Sequence, residues 1–590
     1  MISEYFIYAV TCLLQERIKR NSFMRNIFFT WLVICLFADN INAQFRNAQT
    51  NDNLANLCRI WGFLKYYHPE VARGTMDWDS VLIALIPAVK NADKLQLNNI
   101  YTDLLAKLGT VKTCTACDNK LPGRIKKNLN LEWFGKKNFL SKEIVLKLRY
   151  IQLNRTLDSN YYVSGSPYFE TKDMANAFFK NEKKYKQMRF PLYEYRLLSL
   201  FRFWNIINYY YPYKYSLKED WNAVLHKMIP VFENTKDTLA YDKALQQLVY
   251  SIHDSHADFT TRKLEAEYGE YRAPFYCRII EGKTVVTKIL SDSLCKLAGI
   301  KIGDIVEEWD REQISERIKR FNKVIPASNE AVRVRDICFR VLLATRKESA
   351  SAGVLRNGIT VSVNITCLKK QEAFMKQLSD DNTTPAWRKI NEGIAYINFG
   401  KIKESEIDSI MQAFKNCKAI LFDLRVYPKD GSWFSVIQNY IYPGKRNCAL
   451  VTQPDYSYPG MFKILSGEDA LWENTGKENN AGYYKGNVIV LVNDDTQSQG
   501  ETATMAFRAG PNTILIGTAT AGTNGDISEI PFVGGMSANM SGLGFFYPDG
   551  NEIQRKGIIP DVKIMQTISG VRNGSDEILQ AAINWALQHS

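Results

Sequence analysis

The apolar run Val488-Ile489-Val490-Leu491-Val492, followed by the turn Thr496-Gln497-Ser498-Gln499-Gly500-Glu501 and the helix-like Thr502-Ala503-Thr504-Met505-Ala506-Phe507, most constrains how this chain folds. Such a run reads as a strand buried on both faces, and the pattern after it as a helix leaving the strand's carboxyl end. A serine at that turn exposes its hydroxyl at the edge of a sheet, where the first amides of the helix point at any oxyanion formed beside it. Ser498 is therefore a candidate nucleophile and the Gln499 amide a candidate oxyanion donor. Serine after a strand is more often only a helix N-cap, so the surroundings decide. A hydroxyl nucleophile needs a base, and Ile252-His253-Asp254-Ser255-His256-Ala257-Asp258 holds two of the five histidines in 590 residues. His253 reads as structural, with Asp254 beside it fixing a turn.

These segments resemble the C-terminal processing (tail-specific) serine peptidase family, in its tricorn-core-like branch, from about Tyr193 to the C-terminus. In that family the nucleophile lies three residues before an acidic side chain, which selects Ser498 before Glu501. Glu501 itself reads as a first-turn helix charge. One branch of the family uses a lysine about 25 residues after the serine as base, where this chain has Thr523, and no lysine lies between Lys485 and Lys556. The other branch uses an upstream Ser-His pair, which Ser255-His256 reproduces. The resemblance thus implies that Ser255 orients His256 and that His256 takes the proton of Ser498. The strand Ala419-Ile420-Leu421-Phe422-Asp423-Leu424-Arg425 stands where the family has its Asp-Leu-Arg strand. The loop after it carries a single glycine, Gly431, implied as a second oxyanion donor. Tyr547-Pro548-Asp549-Gly550 and Ile553-Gln554-Arg555-Lys556-Gly557-Ile558-Ile559-Pro560-Asp561 match the closing segment. Gln554 takes the place of an orienting glutamate, and an amide carries no charge; Glu552 is the nearest carboxylate in sequence.

The first half is organised by a repeat. Trp61-Gly62-Phe63-Leu64-Lys65-Tyr66-Tyr67-His68-Pro69 recurs as Trp204-Asn205-Ile206-Ile207-Asn208-Tyr209-Tyr210-Tyr211-Pro212, and Asp77-Trp78 with Pro87 recurs as Asp220-Trp221 with Pro230; Trp61 to Trp204 and Pro87 to Pro230 are both 143 residues. Both copies read as amphipathic helices interrupted by a Tyr-Pro turn. Ala298-Gly299-Ile300-Lys301-Ile302-Gly303-Asp304-Ile305-Val306 resembles the Gly-Asp turn of PDZ domains, which take chain ends onto a sheet edge, and Arg333 to Lys347 reads as a helical insertion. From Ile394 the chain alternates strands and helices.

The expected fold is a multidomain α/β chain: a signal region over 1–43, a first helical module over 44–118, a basic connecting segment over 119–191, and a second module over 192–270 carrying Ser255-His256. A PDZ-like β domain follows over 271–375, then an α/β (βαβ, crotonase/ClpP-like) catalytic domain over 376–590 carrying Ser498. Met24-Arg25-Asn26 and the short apolar core Ile27 to Phe37 read as a secretory signal, with cleavage after Ile41-Asn42-Ala43, and imply a periplasmic or secreted product of the bacterial cell envelope. The apolar run is too short to span a membrane. Usage is 46% hydrophobic and 23% charged, that of a globular enzyme, and the net charge of +13 is spread along the chain without a nucleic-acid recognition motif. The one denser run, Lys183-Lys184-Tyr185-Lys186-Gln187-Met188-Arg189, reads as a solvated linker face. Nine cysteines after the cleavage site give no disulfide framework or zinc spacing, and Cys114-Thr115-Ala116-Cys117 reads as a local disulfide or two thiols. No metal or organic cofactor is implied. The expected function is a serine endopeptidase acting on peptides or unfolded proteins, the alternative an inactive peptide- or ligand-binding protein on the same fold.

Overall fold

The computed structural model describes residues 48–117, 124–125, 127–135, 140–157, 159–167, 175–356, 358–378, 384–430, 433–466 and 472–589. The signal region 1–43 and Gly431 lie outside them.

The run at Val488 becomes the strand Asn487–Val492, inside a six-stranded sheet ordered Trp387–Asn391, Ile394–Asn398, Ala419–Asp423, Asn487–Val492, Thr513–Gly517, Val562–Lys563. Only the first pair is antiparallel. Side chains of period two feed two cores. Val488, Val490 and Val492 pack with Ala503, Ala506 and Phe507 of the helix Gln499–Arg508 on one face. Ile489 and Leu491 pack with Ile578, Ala582 and Ala586 of the helix Glu577–Gln588 on the other. Five fully buried aliphatic residues, each stabilising by roughly 1.5–3 kcal/mol relative to exposure, leave this strand no alternative register.

Residues 271–369 form a second, antiparallel sheet ordered Ile359–Thr366, Ser349–Arg356, Ile305–Trp309, Lys283–Ile289, Phe275–Ile280. The helix Asp292–Ala298 ends on Gly299, whose φ of 65° makes the left-handed cap that glycine takes without strain. The expected insertion is the helix Glu330–Arg340, capped by Asn329, which lies against the edge strand Phe275–Ile280.

The N-terminal part is helical: 48–67, Trp78–Lys90 and Lys94–Lys107, then Tyr193–Tyr210, Trp221–Glu233 and Thr238–Tyr250. Trp61 and Trp78 exchange indole-to-carbonyl hydrogen bonds at 2.9 and 3.0 Å, and Trp204 and Trp221 do the same at 2.7 and 3.0 Å. The two long helices meet at equivalent positions, Gly62 and Asn205: a Cβ on Gly62 would fall 1.9 Å from Asn205 Oδ1. One core runs through both helical segments. The segment 119–191 is more than a connector, because Trp133, Phe134, Ile144, Leu148 and Phe179 are buried in that core. The same core takes in Tyr458, Ile530 and Met540 from the C-terminal third, which brings the hairpin Ile527–Pro531 and Ser537–Ser541 against the loop that follows Tyr250.

Candidate active site

The turn after Val492 is held rigidly. Thr496 Oγ1 donates to Leu424 O at 2.8 Å and accepts from Asn493 N at 3.1 Å, so its hydroxyl joins two neighbouring strand ends. Arg278 pairs with Asp494 and Asp495, and Arg335 donates to Asp494 O and, at 2.9 Å, to Gln497 Oε1, so the antiparallel sheet and its inserted helix buttress the residues just before Ser498.

Ser498 has φ 55° and ψ −114°, a conformation that costs an L-residue on the order of 1–3 kcal/mol and persists only where the surroundings enforce it. Its side chain makes no capping hydrogen bond, so helix capping does not account for a serine here. Its own amide donates to Thr523 O at 3.0 Å, and Gln499 opens the helix. Glu501 departs from the expected exposed first-turn charge: it is fully buried and accepts from the Thr520 hydroxyl and, at 2.8 Å each, from the Gly522 and Thr523 amides. Burial pushes its carboxyl up to about 7, against the hydrogen bonds that hold it down. Glu501 thus ties the loop 520–523 to the helix, and that loop in turn holds Ser498.

His256 lies in the loop between Tyr250 and the helix Arg262–Tyr268, nine-tenths buried. Asp254 accepts from the His256 amide at 3.0 Å, which makes the tight turn. The ring's Nδ1 is hydrogen-bonded to Ser541 Oγ at 2.9 Å. Burial lowers the imidazole's pKa, while Asp254 and Asp526 raise it, and the balance leaves it below the ordinary value. The side chain expected to orient the ring does something else: Ser255 Oγ accepts from Ser328 N at 2.8 Å, and Ser255 N donates to Ser328 Oγ at 3.1 Å. Ser328 Oγ is also bonded to Thr523 Oγ1 and lies 3.5 Å from Gln554 Nε2. Ser255 and Gln554 therefore reach the Ser498 loop through Ser328 and Thr523, and His256 is gripped from the hairpin strand Ser537–Ser541. Glu552 is engaged elsewhere, accepting from the Tyr215 hydroxyl at 2.6 Å. His253 has φ 46° and contacts Arg333 at 3.3 Å; burial first and then Arg333 depress it to about 4, as for a histidine held neutral by packing.

Asp254, Ser328, Thr523 and Ser541 are the members that sequence reasoning did not place in the site. Asp254 stood inside the histidine motif and Thr523 at the position of another branch's lysine, while no local pattern marks Ser328 or Ser541. Among the described residues no group of three or more His, Cys, Asp and Glu side chains is placed to hold a metal, and no helix is long and apolar enough to cross a membrane.

Residues 393–564 match the sequence model of peptidase family S41. No curated protein matches the chain. Among solved structures the fold is similar to mature CPAF complexed with lactacystin, at 11% identity and a TM-score of 0.52, covering 67% of this chain and 98% of that one. A CPAF mutant gives 12% identity and a TM-score of 0.53 over 68% of this chain and 98% of that one. At such identity the likeness speaks for the fold alone, and the family match is confined to the segment that runs from the strand Ile394–Asn398 to the strand Val562–Lys563 and contains Ser498. Residues 393–564 thus carry the mark of peptidase family S41, and the match indicates a serine-type peptidase.

Proposed function

We propose that the peptidase cleaves peptides and unfolded proteins by acyl transfer, with Ser498 as nucleophile and His256 as general base. The observation that carries this reading is the backbone of Ser498: strained, at the end of a parallel strand, with a hydroxyl that caps nothing and a helix N-terminus beginning at the next residue. Positive φ at a non-glycine residue on such a turn is the way a hydroxyl is presented to substrate. His256 takes the serine proton on its Nε2, the Gln499 amide receives the oxyanion, and Ser255 with Gln554 steadies the loop through Ser328. A neutral imidazole, favoured by burial, is the form a base needs at neutral pH.

The antiparallel sheet acts as a PDZ-like domain that presents chain ends. A cavity of about 440 Å³ between the edge strand Phe275–Ile280, the helix Glu330–Arg340 and the helix Lys370–Leu378, with Phe275, Phe339 and Phe374 in its lining, supports this role. Export to the periplasm or beyond is supported by the signal-like N-terminus and by the Cys114–Cys117 disulfide, since disulfides persist in oxidising compartments. Peptide hydrolysis by wild type, Ser498→Ala and His256→Ala tests the chemistry. Loss of turnover in both variants with unchanged thermal unfolding supports the assignment, and wild-type turnover in either removes that residue from its role.

A further inference from the structure

The His256 ring leans on a buried chain of two side chains. Its Nδ1 is 2.9 Å from Ser541 Oγ, and Ser541 Oγ donates in turn to Asp254 Oδ1 at 3.1 Å. Asp254 Oδ2 accepts from Ser541 N at 2.9 Å, and Oδ1 also accepts from His256 N at 3.0 Å, so the carboxylate is pinned by both segments that it joins. Asp254 and Ser541 are fully buried and His256 is 6% exposed.

A serine hydroxyl has a single proton, and a carboxylate can only accept. With that proton given to Asp254, Ser541 Oγ can meet the imidazole only as an acceptor. The ring proton is then held on Nδ1 and the lone pair is left on Nε2, which is the tautomer a general base requires. When the ring takes the serine proton, the positive charge forms two hydrogen bonds away from Asp254. The amide of Gln554 cannot supply that charge, and its nearest partner is Ser328, not the ring. We propose that Asp254 and Ser541 are the positioning residues of this peptidase: a hydroxyl-bridged carboxylate, drawn from the base's own loop and from the hairpin strand, sets the tautomer of His256. This rests on the reading of Ser498 and His256 as nucleophile and base.

A carboxylate that did no more than join the two segments through the His256 and Ser541 amides would lose one of those bonds in Asp254→Asn, yet would leave Ser541→Ala near wild type and the acid limb unmoved. The bridged arrangement predicts otherwise, and the rate at which a fluorophosphonate labels Ser498 across pH reads the difference. Asp254→Asn should slow labelling ~100-fold or more and Ser541→Ala ~10-fold or more, and the double variant should be no slower than Asp254→Asn, because both act through one chain. Asp254 and Asp526 are the charged groups that raise the imidazole's pKa, so Asp254→Asn should also move the acid limb of the profile to lower pH, with Asp526 still in place. Ser541→Ala removes one oxygen and keeps the Ser541 amide bond to Asp254, so it carries the test alone if Asp254→Asn does not fold. Both variants within about threefold of wild type, an unmoved acid limb, or losses that add in the double variant would overturn the assignment. Absence of labelling at Ser498 in wild type would instead overturn the reading on which it rests.

Discussion

Glu501 couples the stability of the loops around Ser498 to pH. Burial lifts its carboxyl from an ordinary 4.5 to about 7. Between those values the folded chain holds a proton that the unfolded chain has released, so stability is highest below about 4.5, falls as pH rises through the window, and levels off above 7. At about 1.4 kcal/mol per pH unit the group accounts for ~3 kcal/mol across that window. Glu501→Gln abolishes this dependence. The glutamine oxygen still accepts from Thr520 and Gly522, but the Thr523 amide then faces an NH2 group and loses its acceptor, at ~1–3 kcal/mol. Denaturant unfolding of wild type and variant at pH 5 and pH 8 should show the variant less stable at pH 5, with the difference moving by ~3 kcal/mol in its favour at pH 8. Parallel pH dependences in the two proteins would refute the argument, because Glu501 would not be the group that titrates.

The remaining predictions are briefer. Gly62→Ala places a Cβ on the Asn205 side chain and should destabilise the helical part by ~1–3 kcal/mol, measured by thermal unfolding; a neutral result would mean that the two helices do not cross there. Arg335→Ala removes the contacts to Asp494 and Gln497, and should slow labelling of Ser498 several-fold while changing the melting temperature little, read by probe kinetics alongside calorimetry. Peptides with a free C-terminal carboxylate should be cut faster than their amidated counterparts if the PDZ-like sheet captures chain ends, since a carboxylate on backbone amides makes charge-assisted hydrogen bonds that an amide cannot replace; equal turnover would remove the sheet from substrate selection.

Legibility followed the range of the forces involved. The strand at Val488 and the helix after Ser498 were readable because period and burial are written in consecutive residues. The matched Trp61-Trp78 and Trp204-Trp221 segments were visible as a repeat because each pair lies on neighbouring helices of one short stretch. What holds the ring of His256 was not readable: Ser541 reaches it from a hairpin that the shared core of Phe532, Met540 and the N-terminal helices presses against that loop, and serine has no local signature for such a role. Ser328 was hidden for the same reason, since a loop before the inserted helix brings it to Ser255 and Thr523. Glu501 misled in the opposite sense. A carboxylate in a first turn is ordinarily a solvated partner of the helix dipole, and only the returning loop 520–523, which closes over it with two amides and a hydroxyl, turns it into a buried clamp.

The central claim is that Ser498 is a nucleophile activated by His256, and the measurement that meets it most directly is mass-spectrometric location of a fluorophosphonate adduct. The account predicts a single adduct on the peptide containing Ser498 in wild type and none, at the same exposure, in His256→Ala. An adduct on another residue, or equal modification of Ser498 in His256→Ala, would contradict it.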